Sequence, residues 1–233
     1  MGNLSYVQRR GQLETYFDRT AAEAWARLTS TAPVSKIRAT VRAGRDAMRG
    51  TLLSFLPDDL RGARVLDAGC GTGAFSVAAA ARGADVVAID LSSTLVTLAR
   101  ERLPASLGAG SIDFRVGDMS DPGLGDFDYI VAMDSLIHYE VGDVIRVLSG
   151  FARHARSSIA FTFAPRTPAL AVMHAAGRLF PRKDRAPAIE PVAVSVLQMQ
   201  LAAEPRLQLW RPGQTRLVTS GFYKSQAMEL VKL

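Results

Sequence analysis

Residues 67–73 read DAGCGTG, preceded by RVL at 64–66 and followed by AFSVAAA at 74–80. A short apolar run, an acid, a glycine at every second position and then an alanine-rich run spell strand, tight turn and helix. A turn of this kind at the carboxyl end of a strand is where an open α/β sheet binds its ligand. Three ligands use such a turn: a dinucleotide, a nucleoside triphosphate, or S-adenosylmethionine.

The sequence around the turn supports the sheet. Strands are predicted at ARVLDA, ADVVAID, SIDFRVGD, FDYIVAMD and SSIAFTFA, with helices at GTGAFSVAAAARG, SSTLVTLARERL and VGDVIRVLSGFARHA between them. Ser92 or Ser93 is the expected N-cap of the second of these helices. Alternation at this spacing predicts a parallel sheet covered on both faces. Two closing strands are predicted at RLQLWR and GFYKSQAMELVKL, joined around Pro212-Gly213 as an antiparallel edge pair. Upstream, Leu13, Tyr16, Phe17, Ala21, Ala24 and Leu28 recur at helical steps up to Pro33. A second helix is predicted from about Ser35 to Phe55. Beyond residue 165 the pattern predicts a helix to about Phe180, an exposed segment PRKDRAPAIEP, and a helix to about Ala203. The expected organisation is an N-terminal helical arm or lid over residues 1–58 and a core over 59–233, interrupted by a substrate-binding insertion at about 166–204.

The chain has 233 residues, 48% hydrophobic and 21% charged, the profile of one globular unit. No run approaches the roughly 18 apolar residues of a membrane span, and MGNLSYVQRRGQLETYF has no signal-peptide core. One cysteine, Cys70, excludes an internal disulfide and a multi-cysteine zinc site, so a reducing, cytoplasmic setting is expected. The net charge of +6 and pI near 9.9 suit an anionic partner or a merely arginine-rich surface, and composition does not separate them.

Other residues decide among the ligands. Gly69, Gly71 and Ala74 score as G-x-G-x-x-A, but a pyrophosphate beside Asp67 meets like-charge repulsion. No G-x-x-x-x-G-K-[ST] occurs for a triphosphate. A ligand with a cationic amino-acid end suits Asp67. Asp90 closes the second strand, 21 residues after Gly69, placed to accept two ribose hydroxyls, with Leu91 beside it. Asp118 ends the third strand, placed to accept an adenine amine while the Met119 backbone donates to a ring nitrogen. Each acid alone reads as a turn or capping residue. Three strand-end acids with one glycine turn read as a nucleoside site without phosphate.

These residues resemble the class I S-adenosylmethionine-dependent methyltransferases, a Rossmann-like α/β fold with a mostly parallel seven-stranded sheet and helices on both faces. The resemblance assigns Asp67, Gly69, Cys70 and Gly71 to the methionine part of the donor, Asp90 and Leu91 to the ribose, and Asp118 and Met119 to adenine. Cys70 is a small spacer in the loop. The flanks add ETYFDRTAAEAW (14–25), IRATVRAGRDAMRG (37–50), LIHYE (136–140) and APAIEPV (186–192). Together these resemble the magnesium protoporphyrin O-methyltransferase family of bacteriochlorophyll and chlorophyll biosynthesis, over nearly the whole chain. In that family a YF pair, here Tyr16 and Phe17, precedes a tryptophan, here Trp25, in an arm over the site. Members often carry a tyrosine four residues after the tryptophan, where this chain has Thr29, so Tyr16 or Tyr139 is expected to replace it.

The resemblance implies methyl transfer to a propionate of magnesium protoporphyrin IX, with magnesium present only in the substrate. A propionate is already ionised near neutral pH, so no strong base is needed. His138 is the expected positioning group, and Asp134 is expected to order its loop or touch the cofactor. His154 and His174, flanked by small residues, read as structural. Arg178, Arg182, Lys183 and Arg185 read as a solvated loop, a counter-charge for a second propionate, or a lipid contact. ALAVMHAAGRLF fits an interfacial helix or a core helix equally. The resemblance further implies contact with the large, porphyrin-binding magnesium-chelatase subunit and peripheral association with the photosynthetic membrane. The residues alone leave open another small-molecule carboxyl acceptor, an RNA acceptor suggested by the basic pI, or a non-catalytic pathway scaffold. No N-P-P-[YF] stands at the fourth strand, where the sequence is Ala132-Met133-Asp134-Ser135, so nucleic acid is not the expected partner.

Overall fold

The computed structural model describes residues 6–20, 35–166 and 189–233. Seven strands form one sheet: β1 (Arg64–Ala68), β2 (Asp85–Asp90), β3 (Ser111–Val116), β4 (Phe127–Ala132), β5 (Ala155–Phe163), β6 (Trp210–Ser220) and β7 (Tyr223–Lys232). Their order is β3-β2-β1-β4-β5-β7-β6. The first five are parallel, and β7 enters antiparallel between β5 and β6. The direction of strand addition reverses between β1 and β4, and that reversal opens a crevice at their carboxyl ends.

The helices are α1 (Tyr6–Thr15), α2 (Lys36–Ser54), α3 (Ala74–Ala81), α4 (Ser93–Glu101), α5 (Val141–His154) and α6 (Val194–Ala203). Alternate strand residues feed two cores, as the pleat requires. Val65, Val86, Val131 and Ala160 pack against Met48 and Leu52 of α2, Phe75 and Ala79 of α3, and Val96 of α4. Leu66, Val87, Ile130 and Ile159 face the other way, into a core with Leu148 of α5 and Leu197 of α6. Caps set the helix starts: Ser35 accepts from the Arg38 N–H for α2, and Ser92 from the Leu95 N–H for α4.

The structure corrects three expectations from the sequence. The first helix is not α-helical throughout its described residues; α1 stops at Thr15 and passes into a π-helical turn, Tyr16–Thr20, while Ala21, Ala24 and Leu28 lie outside the described residues. The wider turn breaks the 3.6-residue register, and Asp18 there accepts from the Ser92 hydroxyl (2.6 Å) and the Thr94 N–H (3.2 Å) at the start of α4. RLQLWR is mostly not strand: Pro205–Leu207 is a 3₁₀ turn, and β6 begins at Trp210. Pro212-Gly213 is not the hairpin turn but a register shift inside the edge strand, where a missing N–H is tolerated. The turn is Gly221-Phe222. Trp25, Thr29, His174, the basic residues at 178–185 and the helix expected before Phe180 lie outside the described residues.

Candidate active site

The crevice holds a cavity of about 790 Å³. Its floor is the loop between β1 and α3. Gly69 has φ +84° and lies against Ser135, so that a Cβ there would stand 2.4 Å from the Ser135 Cβ. The Gly69 and Cys70 N–H groups bond the Ile89 carbonyl (2.8 and 3.0 Å), tying the loop to β2. Gly71 N–H donates to Asp90 Oδ2 at 2.8 Å, and Ser92 N–H to Asp90 Oδ1 at 2.9 Å. Burial raises the Asp90 pKa despite these two donors. Asp67 is buried with its carboxylate bonded by the Ser76 hydroxyl. Burial, aided by the charge of Asp90, raises its pKa to about 7. Burial also pushes the Cys70 thiol up, which suits a packed spacer.

All the expected donor-binding residues, Asp67, Gly69, Cys70, Gly71, Asp90, Leu91, Asp118, Met119 and Asp134, line this one cavity. The surroundings of Asp118 differ from the expectation. Its Oδ1 accepts from the Tyr6 hydroxyl (2.9 Å) and the Ser120 N–H (2.8 Å), and its Oδ2 from Arg10 (2.7 Å). Burial raises its pKa, but these donors outweigh it and hold the carboxyl below its ordinary value. Helix α1 is thereby latched to the Asp118 side of the cavity. Tyr6 also stacks on Tyr139 at 5.2 Å, and burial pushes the Tyr6 hydroxyl up to about 12 and that of Tyr139 higher still.

At the mouth, His138 ends a 3₁₀ turn, Leu136–His138, and lines the cavity with Phe17, whose ring centroid lies 6.0 Å from the imidazole. Tyr16 does not line the cavity. It packs edge-on against Phe17, because the π turn rotates Phe17 inward and Tyr16 away. Glu190 N–H bonds the Ile137 carbonyl, and Pro165 bridges Val192, so residues 165 and 190–192 meet beside the Leu136–His138 turn. Arg9 of α1 pairs with Glu190 at 3.0 Å.

Asp134 is the hub of the mouth. It is non-glycine at φ +54°, with its N–H bonded to the Thr162 hydroxyl at 2.7 Å. Its carboxylate accepts from Arg45 (2.8 Å) and from the hydroxyls of Tyr223 (3.0 Å), Thr162 (3.3 Å) and Ser225 (3.4 Å). Burial and the nearby carboxylate push the Tyr223 pKa well above normal. Sequence reasoning missed Tyr6, Arg10, Arg45 and Tyr223. The three- and four-residue spacing of Arg42, Arg45 and Arg49 was a usable signal for one helix face. Tyr223 carried none, since its partner lies 89 residues away.

A family model described as Magnesium-protoporphyrin IX methyltransferase C-terminus matches residues 132–232, and a methyltransferase-domain model matches 65–158. Magnesium-protoporphyrin O-methyltransferase of Rhodobacter capsulatus is 50% identical over 225 residues, 96% of this chain and 97% of that protein. The chain belongs to the magnesium-protoporphyrin O-methyltransferase family. A crystal structure of magnesium protoporphyrin IX methyltransferase from Synechocystis PCC 6803 with bound SAH superimposes with a TM-score of 0.81 at 26% identity, covering 96% of this chain and all of that one. A ubiquinone biosynthesis O-methyltransferase of Xanthomonas oryzae is 37% identical, but over only 53% of this chain and 54% of that protein. The likeness to the magnesium-protoporphyrin O-methyltransferase family therefore extends well beyond a shared half.

Proposed function

We propose that this protein transfers a methyl group from S-adenosylmethionine to a propionate carboxylate of magnesium protoporphyrin IX, giving the monomethyl ester in bacteriochlorophyll biosynthesis. The observation that carries the reading is the 50% identity to the Rhodobacter capsulatus protein, which spans 96% of this chain and so takes in substrate-side as well as donor-side segments. The cavity chemistry agrees with the donor. Backbone cradles the loop side, two buried carboxylates meet a cationic ligand, and no phosphate-binding lysine motif is present in the sequence. S-adenosylmethionine supplies a methyl carried on a cationic sulfur, and the ionised propionate accepts it, so opposite charges vanish in the transition state.

The protein's own work is alignment and the exclusion of water. Asp90 orients the ribose with its two oxygens already fixed by Gly71 and Ser92 N–H groups. Asp67 faces the ammonium end, and Asp118 with Met119 bounds the adenine. Leu13 and Phe17, carried by the 1–58 arm, roof the cavity with apolar surface. His138 bonds and orients the acceptor carboxylate, Tyr139 forms the wall behind it, and Tyr16 backs Phe17 from outside the cavity. Contact with the large magnesium-chelatase subunit and with a membrane surface belongs to the same reading. Its support is a rim bearing exposed Ile37 and Phe222 among Lys36, Arg38 and Lys224. Among the described residues no helix is long and apolar enough to cross a membrane.

The test is turnover: magnesium protoporphyrin with S-adenosylmethionine is expected to gain the mass of one methyl. Faster methylation of free protoporphyrin or of an unrelated carboxylic acid would overturn the substrate assignment.

A further inference from the structure

Asp134 is, among the described residues, the one non-glycine residue in the left-handed region, at φ +54°. Aspartate tolerates that conformation, but such a residue persists only where its surroundings hold it. Here the holding groups come from three elements: Arg45 of α2, Thr162 of β5, and Tyr223 and Ser225 of β7. Thr162 takes part twice, accepting from the Asp134 N–H and donating to the carboxylate. These four donors meet the roughly four lone-pair sites of a carboxylate. The group is therefore turned to fixing geometry rather than to collecting a proton, and an ionised acceptor needs no base.

The bend at Asp134 decides where the next residues go. Strand β4 ends at Ala132, and at Asp134 the chain leaves the line of the strand. Ser135 then lies on the glycine loop: its hydroxyl donates to the Ala68 carbonyl at 2.8 Å, and its Cβ is the atom a side chain at Gly69 would strike. Leu136 anchors the following 3₁₀ turn in the core, and His138 ends that turn at the cavity. The turn is thus tied at its start to α2, β5 and β7 through Asp134, and to β1 through Ser135. Thr162 and Tyr223 do not line the cavity, so what they do for the reaction is done through a neighbour. We infer that Tyr223 and Thr162 are positioning residues for methyl transfer: through Asp134 they set the Ser135–His138 segment, and with it the place of the His138 imidazole in the cavity. This rests on the role of His138 proposed above, and names the groups that aim it.

The experiment uses Tyr223→Phe and Thr162→Val, each of which keeps the side-chain shape and removes a hydroxyl, in the wild-type and His138→Ala backgrounds. Turnover is measured on magnesium protoporphyrin, and SAH is titrated by calorimetry into each protein. Each single change is expected to lower kcat/KM for the acceptor about tenfold, where a full ~1 Å misplacement costs about 10²-fold. SAH affinity should stay within about twofold of wild type, which also reports that the variant is folded. In the His138→Ala background the same changes should alter the residual kcat/KM by less than about twofold, because the group they aim is gone. A second readout does not depend on turnover and decides alone if His138→Ala has no measurable rate. In protein carrying ¹³C-labelled histidine, the His138 imidazole signal, identified by its loss in His138→Ala, should move in both variants. The signal of His154, which ends α5 beside Asp126, should stay in place. Equal fractional losses in both backgrounds, an unmoved His138 signal, full turnover by His138→Ala, or a weakened affinity for SAH would overturn the positioning role while leaving the functional assignment standing. A wild type that does not methylate magnesium protoporphyrin would overturn the assignment, and the positioning role with it.

Discussion

Asp67 is a carboxyl group with almost no water around it, and its titration is a measurable property of the site. Its pKa rises from 3.8 to about 7 on folding, through burial first and the charge of Asp90 second. A raised carboxyl pKa means that the folded state holds its proton where the unfolded chain releases it. The stabilisation is complete below about pH 4 and is lost as pH rises through about 7. Denaturant unfolding without ligand should therefore give lower stability at pH 8 than at pH 5, and Asp67→Asn should flatten that slope. Donor binding should run the other way, tightening as pH rises through 7, because a cationic ligand selects the ionised form. Asp90→Ala is expected to weaken SAH binding by about 1.5–3 kcal/mol, and unchanged calorimetric affinity would remove it from the site. His138→Ala should lower turnover while leaving SAH affinity within about 0.5 kcal/mol, the usual spread for a change away from the ligand. That Asp67, Asp90 and Asp118 line one cavity was legible because each stands at or within two residues of a strand's end, and strand ends are set by local pattern. The partners of Asp118 were not, since Tyr6 and Arg10 lie more than 100 residues earlier and reach it only through the packing of α1.

Among elements, the contact of α2 with β7 decides the shape of the mouth. Gly44 is buried, and a Cβ there would stand 2.4 Å from the Tyr223 ring. Gly44→Ala should push the ring aside, withdraw its hydroxyl from Asp134 and cost about 1–3 kcal/mol, as overpacking does. A lowered Tm together with a raised KM for the acceptor and an unchanged SAH affinity is the expected result. An unchanged Tm would show that the neighbours yield freely. Helices α2 to α5 and strands β1 to β5 were legible from periodicity and caps, because their apolar faces meet neighbours close in sequence. The break after Thr15 was hidden because Tyr16 and Phe17 continue the apolar stripe, while the contact made by the π turn, Asp18 with Ser92, joins elements far apart in sequence. Pro212-Gly213 carries turn chemistry and so misled. It is absorbed as an edge irregularity, with buried Glu229 accepting from the Gln214 N–H at 3.2 Å.

For the whole molecule, a net charge of +6 and an apolar rim make association with anionic surfaces a measurable expectation. Sedimentation with anionic lipid vesicles should exceed that with neutral ones, fall as salt is raised, and fall further for Phe222→Ser. Equal recovery with both vesicle types would count against the proposed membrane contact. The family was legible from the flanks because the fold alone does not choose an acceptor. The position of β7 has a consequence for when the protein becomes competent. It is the last strand in chain order, yet it lies between β5 and β6 and supplies Tyr223 and Ser225 to Asp134. At about 5–20 residues per second, a ribosome needs roughly ten seconds to travel from Asp90 to Tyr223. During that interval the nascent chain already carries the glycine loop and Asp90, while the Asp134 cluster still lacks Tyr223 and Ser225. Synthesis thus separates in time two halves of a pocket that the finished fold brings together.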